Sequence, residues 1–94
     1  MIGAVGGGLD VQKMNASLRR RLMDAPDQVV ALIVRTDGDP TPHLSRFSDV
    51  GLEVGHKFKL LPGVSVTGRA EAALSLLSET WIVSMEEDRP ITAM

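Results

Sequence analysis

The side chains able to do acid-base, nucleophilic or metal chemistry are few and scattered. The chain holds two histidines, His43 and His56, and no cysteine. Neither histidine has a second histidine beside it or a metal-ligand spacing around it, so no zinc-type site is encoded. Without cysteine there is no disulfide framework, no thiolate metal site and no thiol redox chemistry, and the compartment is left open. No GxSxG, Walker A or dinucleotide fingerprint occurs. The run Gly6-Gly7-Gly8 precedes a helical pattern but follows no strand, so it is not a phosphate loop. Both histidines read as structural or solvent-facing. The expectation is a protein that is not an enzyme, with no cofactor and no metal.

The charged residues exclude two further classes. Arg19-Arg20-Arg21 is the single basic cluster, and three arginines on a helix with acidic neighbours read as a solvated face. A net charge of −2 offers no basic field for a phosphate backbone. An RNA-binding sheet also needs aromatics on its central strands, and the sequence has only three aromatic residues other than histidine, Phe47, Phe58 and Trp81. No run approaches the ~20 apolar residues of a membrane span, and the opening Met1 to Gly8 lacks the basic and apolar regions of a secretion signal. The expectation is no nucleic-acid or membrane partner and a soluble chain, either cytoplasmic or secreted after processing.

The elements that position these residues follow from periodicity. At 94 residues the chain suffices for one small domain burying about 60 to 65 % of its unfolded surface. Asp10 can cap a helix over 10–24, with Val11, Met14, Leu18 and Leu22 at helical spacing. Asp24-Ala25-Pro26-Asp27 breaks it. Gln28 to Thr36 is then a continuous apolar run of strand length, expected in the middle of a sheet. After the turn formers Asp37 to Pro42, Leu44, Phe47 and Val50 mark a short helix stopped by Gly51.

Leu52 to Leu61 alternates, with Val54, His56, Phe58 and Leu60 expected on one face and Glu53, Lys57 and Lys59 on the other. Pro62-Gly63 turns the chain into a partner strand carrying Val64 and Val66. Arg69 to Glu79 places Ala70, Ala73, Leu74 and Leu77 in an amphipathic stripe. The last strand runs from Trp81 to Glu87, with Trp81, Val83 and Met85 expected on one face and Ile82, Ser84 and Glu86 on the other. Beyond the N-terminal helix this order is β-α-β-β-α-β. The fold class is therefore α+β and ferredoxin-like: a four-stranded antiparallel sheet of order 4-1-3-2, two helices on one face, and an N-terminal helical extension. The reading divides the chain into an extension (1–25), the ferredoxin-like domain (26–88) and an extended C-terminal tail (89–94).

The tail is the most informative stretch. Asp88-Arg89-Pro90-Ile91-Thr92-Ala93-Met94 is too short and polar to add to a core. Pro90 keeps Arg89 extended, and Ile91 and Met94 stand three apart with small residues between. The run from Val83 to Met94 resembles the end of the propeptides of subtilisin-like proteases, the inhibitor I9 family, in which a last strand ends in an acidic turn before a short tail. The resemblance continues upstream through Val30 to Val34, Val54 to Leu60 and Ala70 to Leu77, and covers roughly residues 28 to 94. The short His43 to Val50 helix and the N-terminal helix depart from the family's minimal domain.

This resemblance implies a proteinaceous inhibitor, and an intramolecular or in-trans chaperone, of a subtilisin-like serine protease. The tail would enter the cleft as the non-primed side of a substrate, by β-augmentation. Met94 would fill S1, Ala93 and Thr92 would run through S2 and S3, and Ile91 would fill S4. Glu86 and Asp88 match the acidic positions that, in the family, cap N-termini of protease surface helices. The chain is expected to be monomeric when free. The alternative is a generic ferredoxin-like module that dimerises or binds a ligand through its open sheet face. Acyl-phosphate hydrolysis on a similar topology would need an anion-cradling arginine loop before the first domain helix, where this chain has acidic Asp37-Gly38-Asp39.

Overall fold

The computed structural model describes residues 13–88. In chain order it contains α1 (Ala16–Asp24), β1 (Val29–Thr36), a 3-10 turn (Thr41–His43) leading into α2 (Leu44–Asp49), β2 (Glu53–Lys57), β3 (Gly63–Arg69), α3 (Ala70–Ser75) and β4 (Ile82–Glu87). The four strands form one antiparallel sheet in the order β2-β3-β1-β4, the ferredoxin-like arrangement. The β-branched run of β1 occupies a central place, paired with β3 from Val29↔Arg69 to Arg35↔Gly63 and with β4 on its other side.

One face of the sheet is the core. Val30, Leu32 and Val34 alternate inward along β1 and meet Val64 and Val66 across the ladder. Each such side chain, fully buried, contributes roughly 1.5 to 3 kcal/mol of transfer free energy. Phe47 of α2 and the small Ala70, Ala72 and Ala73 of α3 pack into the same cluster. The alanines let α3 lie close on the sheet. Its first N–H groups find main-chain partners outside the helix, Ala70 donating to the Gln28 carbonyl at 2.8 Å and Glu71 to that of Pro26 at 3.0 Å. Among the described residues, no helix packs against the other face of the sheet.

The helix expected over 10–24 is interrupted at Met14 and Asn15, between a helical Lys13 and α1. Asn15, not a residue further upstream, caps α1, its side-chain oxygen accepting from the N–H groups of Ser17 at 2.7 Å and Leu18 at 3.3 Å. Just before it, Met14 forms a parallel bridge with Met85 on the outer edge of β4. The Lys13 ammonium donates to the carbonyls of Leu77 and Glu79 at 2.9 and 2.7 Å. Met14, Leu18 and Leu22 belong to the single core cluster. The expected cap at Asp10 lies outside the described residues.

Three other expectations are corrected. The strand expected from Leu52 to Leu61 stops at Lys57, and within it Val54 pairs with Val66 but His56 with Ser65, leaving Gly55 as the extra residue of a bulge. Val54 therefore packs on the core while His56 lies on the open face. In β4 a second bulge opposite Arg35 and Thr36 puts both Ile82 and Met85 into the core and leaves Val83 53 % exposed, so Val83 does not share the face of Met85. Lastly, α3 ends at Ser75, after which Leu76 and Leu77 donate to carbonyls three residues back. The tighter turn drives Leu76 and Leu77 inward together, where a regular helix would have kept Leu74 and Leu77 in line.

Candidate functional site

The end of β4 is built by the alternation of its side chains and by its pairing with β1. Glu86 stands across from Ile33 on the open face and is exposed. Glu87 falls on the helix face, where the Arg21 guanidinium meets its carboxylate at 2.6 Å. Pairing continues past the strand, because the Asp88 N–H donates to the Ala31 carbonyl at 2.9 Å. By period two, Asp88 returns to the face of Glu86, and it is half-buried. Two carboxylates thus share one side of the sheet, while the glutamate between them is engaged on the other.

Of the residues singled out in the sequence, Glu86 and Asp88 come together at this corner. Ile91, Thr92, Ala93 and Met94 lie outside the described residues. The two histidines are far apart in role. The His43 ring stacks on Trp81 with centroids 4.1 Å apart and planes 1° from parallel, and Phe47 meets the same indole edge-on at 5.4 Å. His56 contacts Phe58 edge-on at 5.0 Å on the open face. Among the described residues, no three histidine or carboxylate side chains gather into a metal-binding group, and no helix is long and apolar enough to cross a membrane.

Glu79 ties the aromatic cluster together and was not singled out by sequence. It accepts from Arg46 Nε at 2.9 Å and from the Trp81 indole N–H at 3.2 Å. The Arg46 hydrogen bond and charge, helped by the indole and by the charge of His43, hold its carboxyl below the ordinary value. Asp39 is likewise lowered, chiefly by the N–H and hydroxyl of Thr41 at 2.9 and 2.7 Å and by the charge of Lys57. These contacts fix the loops around α2. Neither group faces the β4 corner.

Sequence spacing missed a second feature of the open face. The chain between β2 and β3 carries Phe58, Leu60, Leu61 and Pro62 around a hollow of about 430 Å³ whose floor includes Ile33. Leu60 is 96 % and Leu61 52 % exposed. The alternation expected through Leu61 disguised this stretch as strand, and the unbroken apolar pair before Pro62 was the available signal of a loop. Compared with known proteins, the chain matches no family model and no curated sequence.

Proposed function

We propose that this chain is a non-enzymatic inhibitor of a subtilisin-like serine protease that lays its C-terminal segment, Ile91 to Met94, product-like into the non-primed subsites. One observation carries the reading. The edge strand β4 stays hydrogen-bonded to the central strand as far as Asp88, so whatever follows departs from a fixed point, beside two carboxylates on a face that no described helix covers. A fixed departure point lowers the entropy lost when an extended peptide docks.

In this mechanism Met94 fills S1 and Ile91 fills S4, each contributing about 1.5 to 3 kcal/mol before ordering costs. Thr92 and Ala93 pass through S3 and S2, pairing main chain to main chain. Once the chain is cut after Met94, the carboxylate so formed would stand near the catalytic serine as a cleaved product's does. Glu86 and Asp88 face N-termini of protease helices, adding ~0.3 to 1 kcal/mol each. A surface complementary to the native protease also stabilises that protease over less organised states, which gives the chain a role in folding its partner.

The test is competition with a chromogenic peptide for a bacterial subtilisin. The intact chain should inhibit, deletion of residues 91–94 should abolish inhibition, Met94→Asp should weaken it at least about tenfold and Met94→Phe should preserve it. An unchanged inhibition constant for Met94→Asp sinks the tail mechanism. A second reading, dimerisation through the open sheet face, draws on the exposed Val29 and half-buried Ile33 of that face. Sedimentation of the tail-deleted chain distinguishes the two, since dimerisation survives the deletion and protease binding does not.

A further inference from the structure

The hollow beside β2 and β3 has a composition unlike the rest of the surface. Ile33 rises from the central strand, and Phe58, Leu60, Leu61 and Pro62 close round it from the connecting loop. Isolated exposed leucines are common, but here several apolar side chains converge on one concavity, with Leu60 96 % exposed. Apolar surface left open in this concentrated way marks a place where something else binds. A volume of about 430 Å³ lies within the roughly 300 to 1,000 Å³ of small-molecule sites.

The polar residues of the lining all carry nitrogen. Arg35 enters from β1, His56 from β2 and Lys59 from the loop, and the lining includes no carboxylate. Glu86, opposite Ile33 in the ladder, lies outside it, and Asp39 and Lys57 line an adjoining depression that shares Phe58, Lys59, Leu60 and Pro62 with the hollow. An occupant of this hollow therefore meets an apolar wall and two permanent positive charges together.

We infer that the hollow formed by Ile33, Phe58, Leu61 and Pro62 with Arg35 and Lys59 is a binding site for a small amphipathic anion, an acyl or aryl chain ending in a carboxylate. The chain lies on Ile33 and the loop leucines, and the carboxylate meets the guanidinium and ammonium. A cation is repelled, and a neutral chain of equal length forgoes the charge contacts. The site occupies the Arg35 and Gly63 end of the sheet, whereas β4 ends toward Ala31. Glu86 stands next to Ile33 on the same face, so the hollow adjoins the proposed protease contact, but binding of the anion needs no protease and is tested on the free chain.

The experiment is a titration of the full chain with sodium octanoate below its micelle concentration, followed by calorimetry and by amide chemical shifts. Octanoate should bind one saturable site, moving the amides of Ile33 and of Phe58 to Leu61. Octan-1-ol and octylamine should bind about tenfold more weakly. Arg35→Gln with Lys59→Gln, both at exposed positions, should cost octanoate about three- to tenfold in affinity and leave octan-1-ol unaffected. Leu61→Ser should weaken both. Absence of a saturable site, equal affinity for octanoate and octylamine, or shifts centred elsewhere overturns the assignment. So does binding to phosphatidylglycerol vesicles without binding to monomeric octanoate, which would mark the loop as a membrane contact.

Discussion

The Asp88 N–H and the Ala31 carbonyl, 2.9 Å apart, extend the pairing of β4 with β1 one residue beyond the strand proper. Removing that donor with Asp88→Pro should cost about 0.5 to 1.5 kcal/mol of stability. It should also raise the inhibition constant about tenfold, because the tail loses its fixed origin. Asp88→Asn keeps the N–H and should retain most of both. If Asp88→Pro inhibits as well as the unaltered chain, a rigid origin is irrelevant to binding.

Glu86 and Asp88 act by charge in the proposed complex, and charge is screened. Glu86→Ala combined with Asp88→Ala should weaken inhibition less than loss of residues 91–94, and more at low than at high ionic strength. The measurement is the inhibition constant across a salt series. An effect independent of salt argues against contacts with helix termini.

The N-terminal helix should prove part of the domain's stability. Leu22 is 1 % exposed while its neighbour Met23 is 55 % exposed. Leu22→Ala should destabilise by about 2 to 5 kcal/mol, and Met23→Ala should stay within roughly 0.5 kcal/mol. Urea denaturation of the two variants decides it. Equal, small effects would mean that α1 contributes little to the core.

Gly68 offers a test of close approach at the β3 end. A Cβ there would lie 2.7 Å from Leu52 Cδ2 and 2.9 Å from the Gly51 carbonyl oxygen. Main chain cannot yield as a side-chain tip can, so Gly68→Ala should cost about 1 to 3 kcal/mol. A thermal midpoint unchanged from the parent chain contradicts this packing.

The lowered carboxyl of Glu79 makes part of the stability dependent on pH. Because its proton affinity is weaker folded than unfolded, its contribution is present above the ordinary value of 4.5 and is lost as pH falls through the folded value. Glu79→Gln should therefore lower the urea midpoint near neutrality and flatten its decline in acid. Arg46→Gln, which removes the chief cause of the shift, should act in the same direction. Parallel acid curves for Glu79→Gln and the parent would refute the coupling.

Much of the fold was legible because its signals are local. The apolar run of β1, the stop at Gly51 with its φ of 95°, and the turn at Gly38 with φ of 86° each follow from residues next to one another. The two bulges were not legible. Gly55 and Val83 are extra only relative to the strand each one faces, and a single strand's alternation carries no record of its partner's count. The same limit hid the break between Lys13 and α1. Asn15 two residues before Ser17 was a readable cap, but Met14 leaves helical geometry because of Met85, seventy-odd positions away. At the candidate site, the alternation of Glu86 and Glu87 was readable, while the Arg21 contact that engages Glu87 depends on how α1 is docked.

The bridge between Met14 and Met85, with Lys13 clasping the carbonyls beyond α3, places the N-terminal arm against the outer margin of β4. A sheet whose flank stands bare can recruit identical neighbours end on end. Trimming the chain back past Met14 would uncover that flank, and the predictable outcome is a stickier molecule, prone to fibrous self-association, with the arm acting as a guard against it.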